Sequence, residues 1–306
     1  MKPLHIANHT FDWGARTYVM GILNVTPDSF SGDGLLPSTD PTREREGTEA
    51  AVEQARSFLA SGADILDVGG ESTRPGSEPV DAKAEMARVI PVIQALSKEF
   101  PGALISIDTY KSAVAEAAFQ AGAHLLNDVW ALRADPALAG VAAKYNAPVI
   151  LMHNRSNPAN VEVRRQLGGA YIGAEYDDLI EDVRRELMDS VRLAEQAGIE
   201  SGRVILDPGI GFGKTLEQNL ELIGSLAALK EALDGMPMLV GLSRKSFIGK
   251  VLGDVPVSHR LNGTIASNAI ALMNGADIIR VHDVRPNRDL IDIYAAICRS
   301  DLEHEK

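Results

Sequence analysis

The sequence has little cysteine, few aromatic residues and fewer basic than acidic residues. Cys298 is the single cysteine among 306 residues, which excludes an intramolecular disulfide and fits a reducing compartment. Its neighbours Ala296 and Ile297 predict a buried thiol on a helix. The net charge of −12 argues against a general nucleic-acid or acidic-membrane binder, but it leaves room for a small anion in a local cationic pocket.

Long apolar runs and targeting signals are also missing. No stretch is long and apolar enough to span a bilayer. The first residues, MKPLHIANHTFDWG, lack the apolar core of a signal peptide. We therefore expect a cytoplasmic protein.

Several familiar chemical motifs are absent. The seven histidines form no His-x-His and no His-Glu-x-x-His, which argues against a protein-caged zinc. There is no Gly-x-Ser-x-Gly elbow to support a covalent mechanism. The stretch DPGIGFGKT (207–215) has the wrong glycine spacing for a phosphate loop or a dinucleotide-binding loop. We interpret it as a tight turn that brings Asp207 and Phe212 to a ligand.

What the sequence does contain is a regular alternation of apolar runs and helical stretches. Eight runs read as strands, at 17–25, 63–69, 103–108, 123–128, 147–153, 203–209, 236–243 and 276–283. They are continuous rather than alternating, as in parallel strands buried on both faces. Glycines that suit helix C-caps follow the helical stretches, at Gly62, Gly122, Gly198 and Gly275. The pattern predicts a single (β/α)₈ barrel at about 17–300 after a short N-terminal extension, with an open doubly wound sheet as the alternative.

Each predicted strand ends in polar residues. They are Asn24, Asp67, Asp108, Asn127-Asp128, His153-Asn154, Asp207, Ser243-Arg244-Lys245 and Arg280 with His282 and Asp283. Any one of them could simply cap the next helix. In a barrel, however, all eight strand ends converge on the face that carries active sites. Asp108 and Asp207 follow apolar runs, so we expect them to be buried and to need hydrogen-bond donors.

The cations at these strand ends predict an anion site. Lys245 follows a buried run in an acidic protein, so contact with a polar ring is favoured over a solvated basic turn. Arg280 lies between apolar residues, where it could stack on a flat heterocycle or form a structural pair with an aspartate. Arg280 and His282 could hold a pyrophosphate. Mg²⁺ needs only one or two protein oxygens beside substrate phosphates, and Asn24 could be one of them.

Eight motifs together resemble the dihydropteroate synthase family. They are NVTPDSFSGDG, DVGGESTRPGS, ISIDTYK, LLNDVW, LMHN, ILDPGIGFGKT, GLSRKSFIG and IIRVHDV, in the family's order across 21–284. The resemblance implies a (β/α)₈ barrel, usually dimeric. It also implies a reaction of folate synthesis that joins a hydroxymethyl-dihydropterin pyrophosphate to 4-aminobenzoate and releases pyrophosphate, with sulfonamides competing for the aminobenzoate site.

The motifs also imply site residues. The pterin end would comprise Asp108, Asn127, Asp207 and Lys245, with Met152 and Phe212 as pocket walls and Arg280 stacked on the ring. The pyrophosphate end would comprise Thr73, Arg280 and His282, with Asn24 as the Mg²⁺ ligand, and the aminobenzoate side would comprise Arg74, Phe30 and Ser246. Catalysis would rest on Asp207, Lys245, Arg280 and Arg74, with mobile loops at 26–34 and 70–77.

Two stretches depart from the family pattern, and two rivals stay open. The loop aspartate, Asp33, is shifted by one position, and Asn154-Arg155-Ser156 replaces the usual Met-Gln-Gly. One rival is a pterin-binding methyltransferase that acts with a corrinoid protein, which would not need the NVTPDSFSGDG loop. The other is a non-catalytic pterin-binding paralogue, which should have lost residues of the anion end.

Overall fold

The computed structural model describes residues 2–26, 41–72, 79–156 and 175–304. It begins with an antiparallel hairpin of β1 (Leu4–Ile6) and β2 (His9–Phe11). Eight parallel strands follow: β3 (Tyr18–Asn24), β4 (Ile65–Gly69), β5 (Leu104–Asp108), β6 (Leu125–Asp128), β7 (Val149–Met152), β8 (Val204–Asp207), β9 (Leu239–Val240) and β10 (Ile278–Val281). Each lies inside one of the eight predicted runs.

The eight strands form a closed barrel. Their order is β8-β7-β6-β5-β4-β3-β10-β9, and a parallel bridge between Leu206 and Met238 joins the two ends of this order. The Leu206 amide also donates to the Pro237 carbonyl at 2.8 Å. The predicted barrel is therefore confirmed, and the open doubly wound sheet is excluded.

Helices surround the barrel: α1 (Pro41–Ala60), α2 (Ala82–Glu99), α3 (Ser112–Ala121), α4 (Leu138–Lys144), α5 (Leu179–Gln196), α6 (Leu216–Gly224), α7 (Leu226–Ala232), α8 (Ser246–Val251), α9 (Leu261–Met273) and α10 (Val284–His304). On α2, Val89, Val92, Ile93 and Leu96 form a buried stripe. The four predicted cap glycines all have the left-handed backbone that ends a helix, with Gly122 at φ +114°.

Two apolar layers hold the barrel together. Outward-facing strand residues pack against the helices, while inward-facing residues such as Met20 and Ile65 fill the barrel's N-terminal half. Leu4, Ile6 and Phe11 of the hairpin join this inner layer. The N-terminal extension is thus a plug that closes the end of the barrel opposite the carboxyl ends of the strands.

The prediction of a buried cysteine is wrong. Cys298 lies exposed on α10, as do Ala296 and Ile297 beside it. Ile291 is the last fully buried residue described on this helix, and Cys298 lies seven residues beyond it. In the described part of the chain, no helix is long and apolar enough to cross a membrane.

Candidate active site

The alternation of side chains along the strands places a polar layer next to the inner apolar layer of the barrel. Residues two apart on a strand face the same side. Ile65, Leu125, Ile205 and Ile278 belong to the inner apolar layer, and two residues later the chain has Asp67, Asn127, Asp207 and Arg280. Asp108 follows the inner Leu104 by four residues and shares its face. The strand ends thus bring together five of the polar residues that the sequence singled out.

Arg280 is the centre of this layer. Its Nε donates to Asp67 Oδ2 at 2.6 Å and its Nη2 donates to Asp108 Oδ2 at 2.6 Å. Asn127 Nδ2 donates to the same oxygen of Asp67 at 3.1 Å. The structural Arg–Asp pairing that the sequence left open is therefore present. Burial raises the pKa of Asp108, and the Arg280 guanidinium opposes that shift.

Asp67 is a residue that the motif comparison did not assign. It is completely buried, and within the described residues its Oδ1 accepts no hydrogen bond. Its position at a strand end was the available signal. What the sequence could not supply is its partner, because Arg280 lies 213 positions further along the chain.

Asp207 and Lys245 form a second charged group across the barrel mouth. Asp207 Oδ1 accepts from the Gly209 amide at 2.7 Å. Burial raises the pKa of Asp207, and Lys245 opposes the shift. Burial also lowers the pKa of Lys245 to about 8, with Asp207 opposing. The Lys245 ammonium donates to the Ile210 carbonyl and lies 4.4 Å from the centre of the Phe212 ring.

Met152 and Phe212 lie beside this pair, as expected for pocket walls. Met152 is buried and pairs in register with Asp207 across β7 and β8. Phe212 lies in the turn after β8, where Gly209, Gly211 and Gly213 all have positive φ. The glycine-rich stretch is therefore a tight turn at the site, as interpreted from its spacing.

The remaining predicted residues lie around the rim. Asn24 ends β3 on the same face as Met20, and His282 lies in the bend directly after β10, two residues beyond Arg280. His282 Nδ1 and Ser243 Oγ are 3.0 Å apart. Ser246 is exposed and is the first residue of α8. Phe30, Asp33, Thr73 and Arg74 lie outside the described residues.

The stretch that replaces Met-Gln-Gly connects to other parts of the barrel. Asn154 Nδ2 donates to the Val129 carbonyl at 3.2 Å. Arg155 Nη2 forms ion pairs of 2.8 Å with both Asp182 and Glu186 of α5. Asn154 thus links the end of β7 to the residue after β6, and Arg155 links it to α5.

Oxygen donors rather than a preformed metal cage characterise the described site. Within the described residues, no group of three or more His, Cys, Asp or Glu is arranged to hold a metal ion. The amide oxygen of Asn24 fits a magnesium ion that takes most of its other ligands from phosphate and water.

Comparison with known proteins agrees with this geometry. A family model described as "Pterin binding enzyme" matches residues 20–282. A dihydropteroate synthase of Clostridium beijerinckii is 46% identical over 285 residues, which is 93% of this chain and 95% of the relative.

Solved structures match over nearly the whole chain as well. A crystal structure of Clostridium difficile dihydropteroate synthase in the presence of pteroic acid has a TM-score of 0.82 at 44% identity, covering 94% of this chain and 98% of that chain. A Yersinia pestis dihydropteroate synthase in complex with a sulfonamide drug has a TM-score of 0.85 at 39% identity, covering 98% of this chain and 100% of the other. This chain belongs to the pterin-binding enzyme family, among the dihydropteroate synthases.

Proposed function

We infer that this chain is a dihydropteroate synthase. It condenses 6-hydroxymethyl-7,8-dihydropterin pyrophosphate with 4-aminobenzoate to give 7,8-dihydropteroate and pyrophosphate in folate biosynthesis. The observation that carries this inference is the polar layer at the strand ends, where carboxylates, an amide and two cations line one pocket. Such a set matches a flat heterocycle that carries both N–H donors and acceptors. The relatives with pteroic acid and a sulfonamide drug support the same substrates.

The pterin ring is proposed to lie between Asp108, Asn127, Asp207 and Lys245. The carboxylates of Asp108 and Asp207 would accept its N–H groups, which gives the buried charges the donors that they require. Lys245 would donate to a ring carbonyl or nitrogen, with Met152 and Phe212 as walls. Arg280 would stack its guanidinium plane on the ring while its edge stays paired with Asp67 and Asp108.

The pyrophosphate is proposed to lie beyond Arg280, at the rim formed by Asn24 and His282, with Thr73 as a further contact. The Asn24 amide oxygen would hold Mg²⁺, which would neutralise charge on the leaving pyrophosphate. Arg74, Phe30 and Ser246 are proposed for the aminobenzoate side. Ser246 is exposed and starts α8 directly after Lys245, which supports this assignment.

The proposed chemistry is a dissociative substitution in which Arg280 and His282 stabilise the departing pyrophosphate. The bond from the pterin methylene to the pyrophosphate oxygen breaks, and positive charge develops on the pterin. Asp207 and Lys245 hold the ring in place while the aminobenzoate nitrogen attacks the methylene carbon and loses a proton. Arg74 would orient the aminobenzoate. The loops predicted to be mobile, at 26–34 and 70–77, lie largely outside the described residues. No side-chain nucleophile is required.

The proposal extends to the chain's organisation. We propose one pterin-binding domain over residues 1–306, because the hairpin packs into the barrel and α10 packs on α9 and β3. We propose a homodimer, since exposed apolar side chains line α9 at Ile270 and Met273 and α10 at Ile293 and Ile297. A cytoplasmic location is proposed from the single cysteine.

The two alternative functions have less support. The family description alone would admit a pterin-binding methyltransferase. The named relatives are synthases over nearly their full length, and the chain carries the NVTPDSFSGDG loop. A non-catalytic paralogue would have lost residues of the anion end, whereas Asn24, Arg74, Lys245, Arg280 and His282 are all present.

The test is pyrophosphate release by the purified protein with the pterin pyrophosphate, 4-aminobenzoate and Mg²⁺, each omitted in turn. Release that requires both substrates and Mg²⁺, with dihydropteroate formed, is the expected result. Tight pterin binding without release would favour the non-catalytic paralogue or the methyltransferase.

A further inference from the structure

Lys214 is a buried cation to which the proposed function gives no role. It is 6% exposed and precedes Thr215, the residue that caps α6. Its ammonium lies 3.1 Å from His153 Nδ1 and donates to the carbonyls of Gly209 at 3.0 Å and Phe212 at 3.2 Å. An ammonium has three protons. These three acceptors use all of them, which leaves Lys214 no donor for a ligand.

The two carbonyls belong to the turn that carries the proposed pterin contacts. The Gly209 amide donates to Asp207 Oδ1 at 2.7 Å, so fixing Gly209 fixes that carboxylate. Phe212 supplies the ring that lies 4.4 Å from the Lys245 ammonium. By donating to the carbonyls of Gly209 and Phe212, Lys214 fixes the orientation of both the Asp207 carboxylate and the Phe212 ring.

The third acceptor ties this turn to the rest of the barrel. Since His153 Nδ1 accepts from Lys214, its proton lies on Nε2, which donates to Glu186 Oε2 of α5 at 3.1 Å. Arg155 holds Glu186 in turn. The turn is also pressed against His153, because a Cβ on Gly209 would lie 1.9 Å from the His153 carbonyl oxygen.

Burying the Lys214 ammonium costs free energy, because its charge loses the water that would solvate it. Burial lowers the pKa of Lys214 to about 7, and Asp207 opposes the shift. An apolar side chain could fill the same space without this desolvation cost. In return for this cost, the buried ammonium holds three acceptors together.

We propose that Lys214 is a positioning residue for the pterin site, which sets the Asp207 carboxylate and the Phe212 ring by clamping the turn 207–215 to His153. It acts without touching either substrate. The inference rests on the proposed function, since it assigns the pterin to this pocket.

The test compares Lys214→Met, which keeps a long side chain but removes every donor, with Lys214→Gln, which keeps two N–H donors. Lys98→Met on α2 is the control, because Lys98 is exposed and belongs to a helix away from this turn. Pterin pyrophosphate affinity is measured by titration calorimetry, and KM and kcat are measured for both substrates. Circular dichroism spectra and melting curves establish folding.

We expect Lys214→Met to weaken pterin affinity by roughly 10- to 100-fold, the scale of one lost hydrogen bond to a charged group. The KM for 4-aminobenzoate should stay near that of the unmodified protein, Lys214→Gln should recover part of the pterin affinity, and Lys98→Met should change nothing. A folded Lys214→Met with unchanged pterin affinity would overturn the proposal, and so would a Lys214→Gln that recovers none of the lost affinity. So would a loss confined to kcat, which would make Lys214 catalytic, or failure of both variants to fold, which would make it purely structural.

Failure of the proposed function gives a different result. A chain that binds pterin but releases no pyrophosphate would disprove the synthase, while the calorimetric comparison of the Lys214 variants would still decide the positioning role.

Discussion

Lowering the pH should destabilise the protein through His153, and the size of the effect follows from its surroundings. His153 is 1% exposed and lies between the Lys214 ammonium at Nδ1 and Glu186 at Nε2. Burial lowers the pKa of His153 from its ordinary value of 6.5 to about 4, with Glu186 opposing and Lys214 adding to the shift. A proton on Nδ1 would also break the hydrogen bond from Lys214.

The sign follows from proton linkage. Between pH 6.5 and about pH 4 the unfolded chain binds a proton that the folded chain excludes. The contribution of His153 to stability is therefore intact above pH 6.5 and is lost as the pH falls toward the folded pKa. For a fall from about pH 7.5 to about pH 5, these two pKa values give a loss of about 2 kcal/mol in the free energy of unfolding.

The assay is urea unfolding followed by circular dichroism at both pH values, with His153→Gln as the comparison. The glutamine amide can still accept from Lys214 and donate to Glu186, but it does not titrate. Groups that do not contact His153 contribute equally in both proteins, so the parent should lose about 2 kcal/mol more than the variant. Equal losses in the two proteins would refute the assignment of a neutral, buried His153.

Three further changes test the site directly. Asp207→Asn should weaken pterin binding in calorimetry, because it replaces an acceptor of ring N–H groups; unchanged affinity would count against its role. Asp67→Ala should lower the free energy of unfolding by roughly 3–5 kcal/mol, since it removes one partner of a buried ion pair, and an unchanged urea midpoint would contradict the pairing with Arg280. Chelation of Mg²⁺ should abolish pyrophosphate release yet leave binding of the pterin without its pyrophosphate intact; release that persists would exclude the role of Asn24.

The barrel was predictable because its strands are buried on both faces. Continuous apolar runs such as those ending at Asp108 and Asp207 carry that signal, and the cap glycines mark where α1, α3, α5 and α9 stop. The hairpin at the N-terminus gave no such signal. Its strands are three residues long and include His5 and His9, so neither length nor alternation distinguishes them from a loop.

The site was predictable as a layer but not as a network. Strand ends of a barrel converge, so Asp108, Asn127, Asp207 and Arg280 could be expected on one face. Which of them pair depends on register around the barrel, and that is why the link between Asp67 and Arg280 could not be read from the sequence. Lys214 belonged to a motif that failed the phosphate-loop spacing, and the sequence does not reveal that its side chain turns back onto its own loop.

An acidic protein can hold a pyrophosphate ester because charge acts locally at this site. With a Debye length of about 8 Å at physiological salt, most of the surface carboxylates behind the net charge of −12 are screened from the pocket. The buried charges inside it are screened much less. There Asp67, Asp108 and Asp207 face Lys214, Lys245 and Arg280, which balances the two signs. These buried charges are therefore close to balanced, so the deciding interactions for the proposed substrate are the directed hydrogen bonds of Asp108, Asp207 and Lys245 rather than the overall field of the protein.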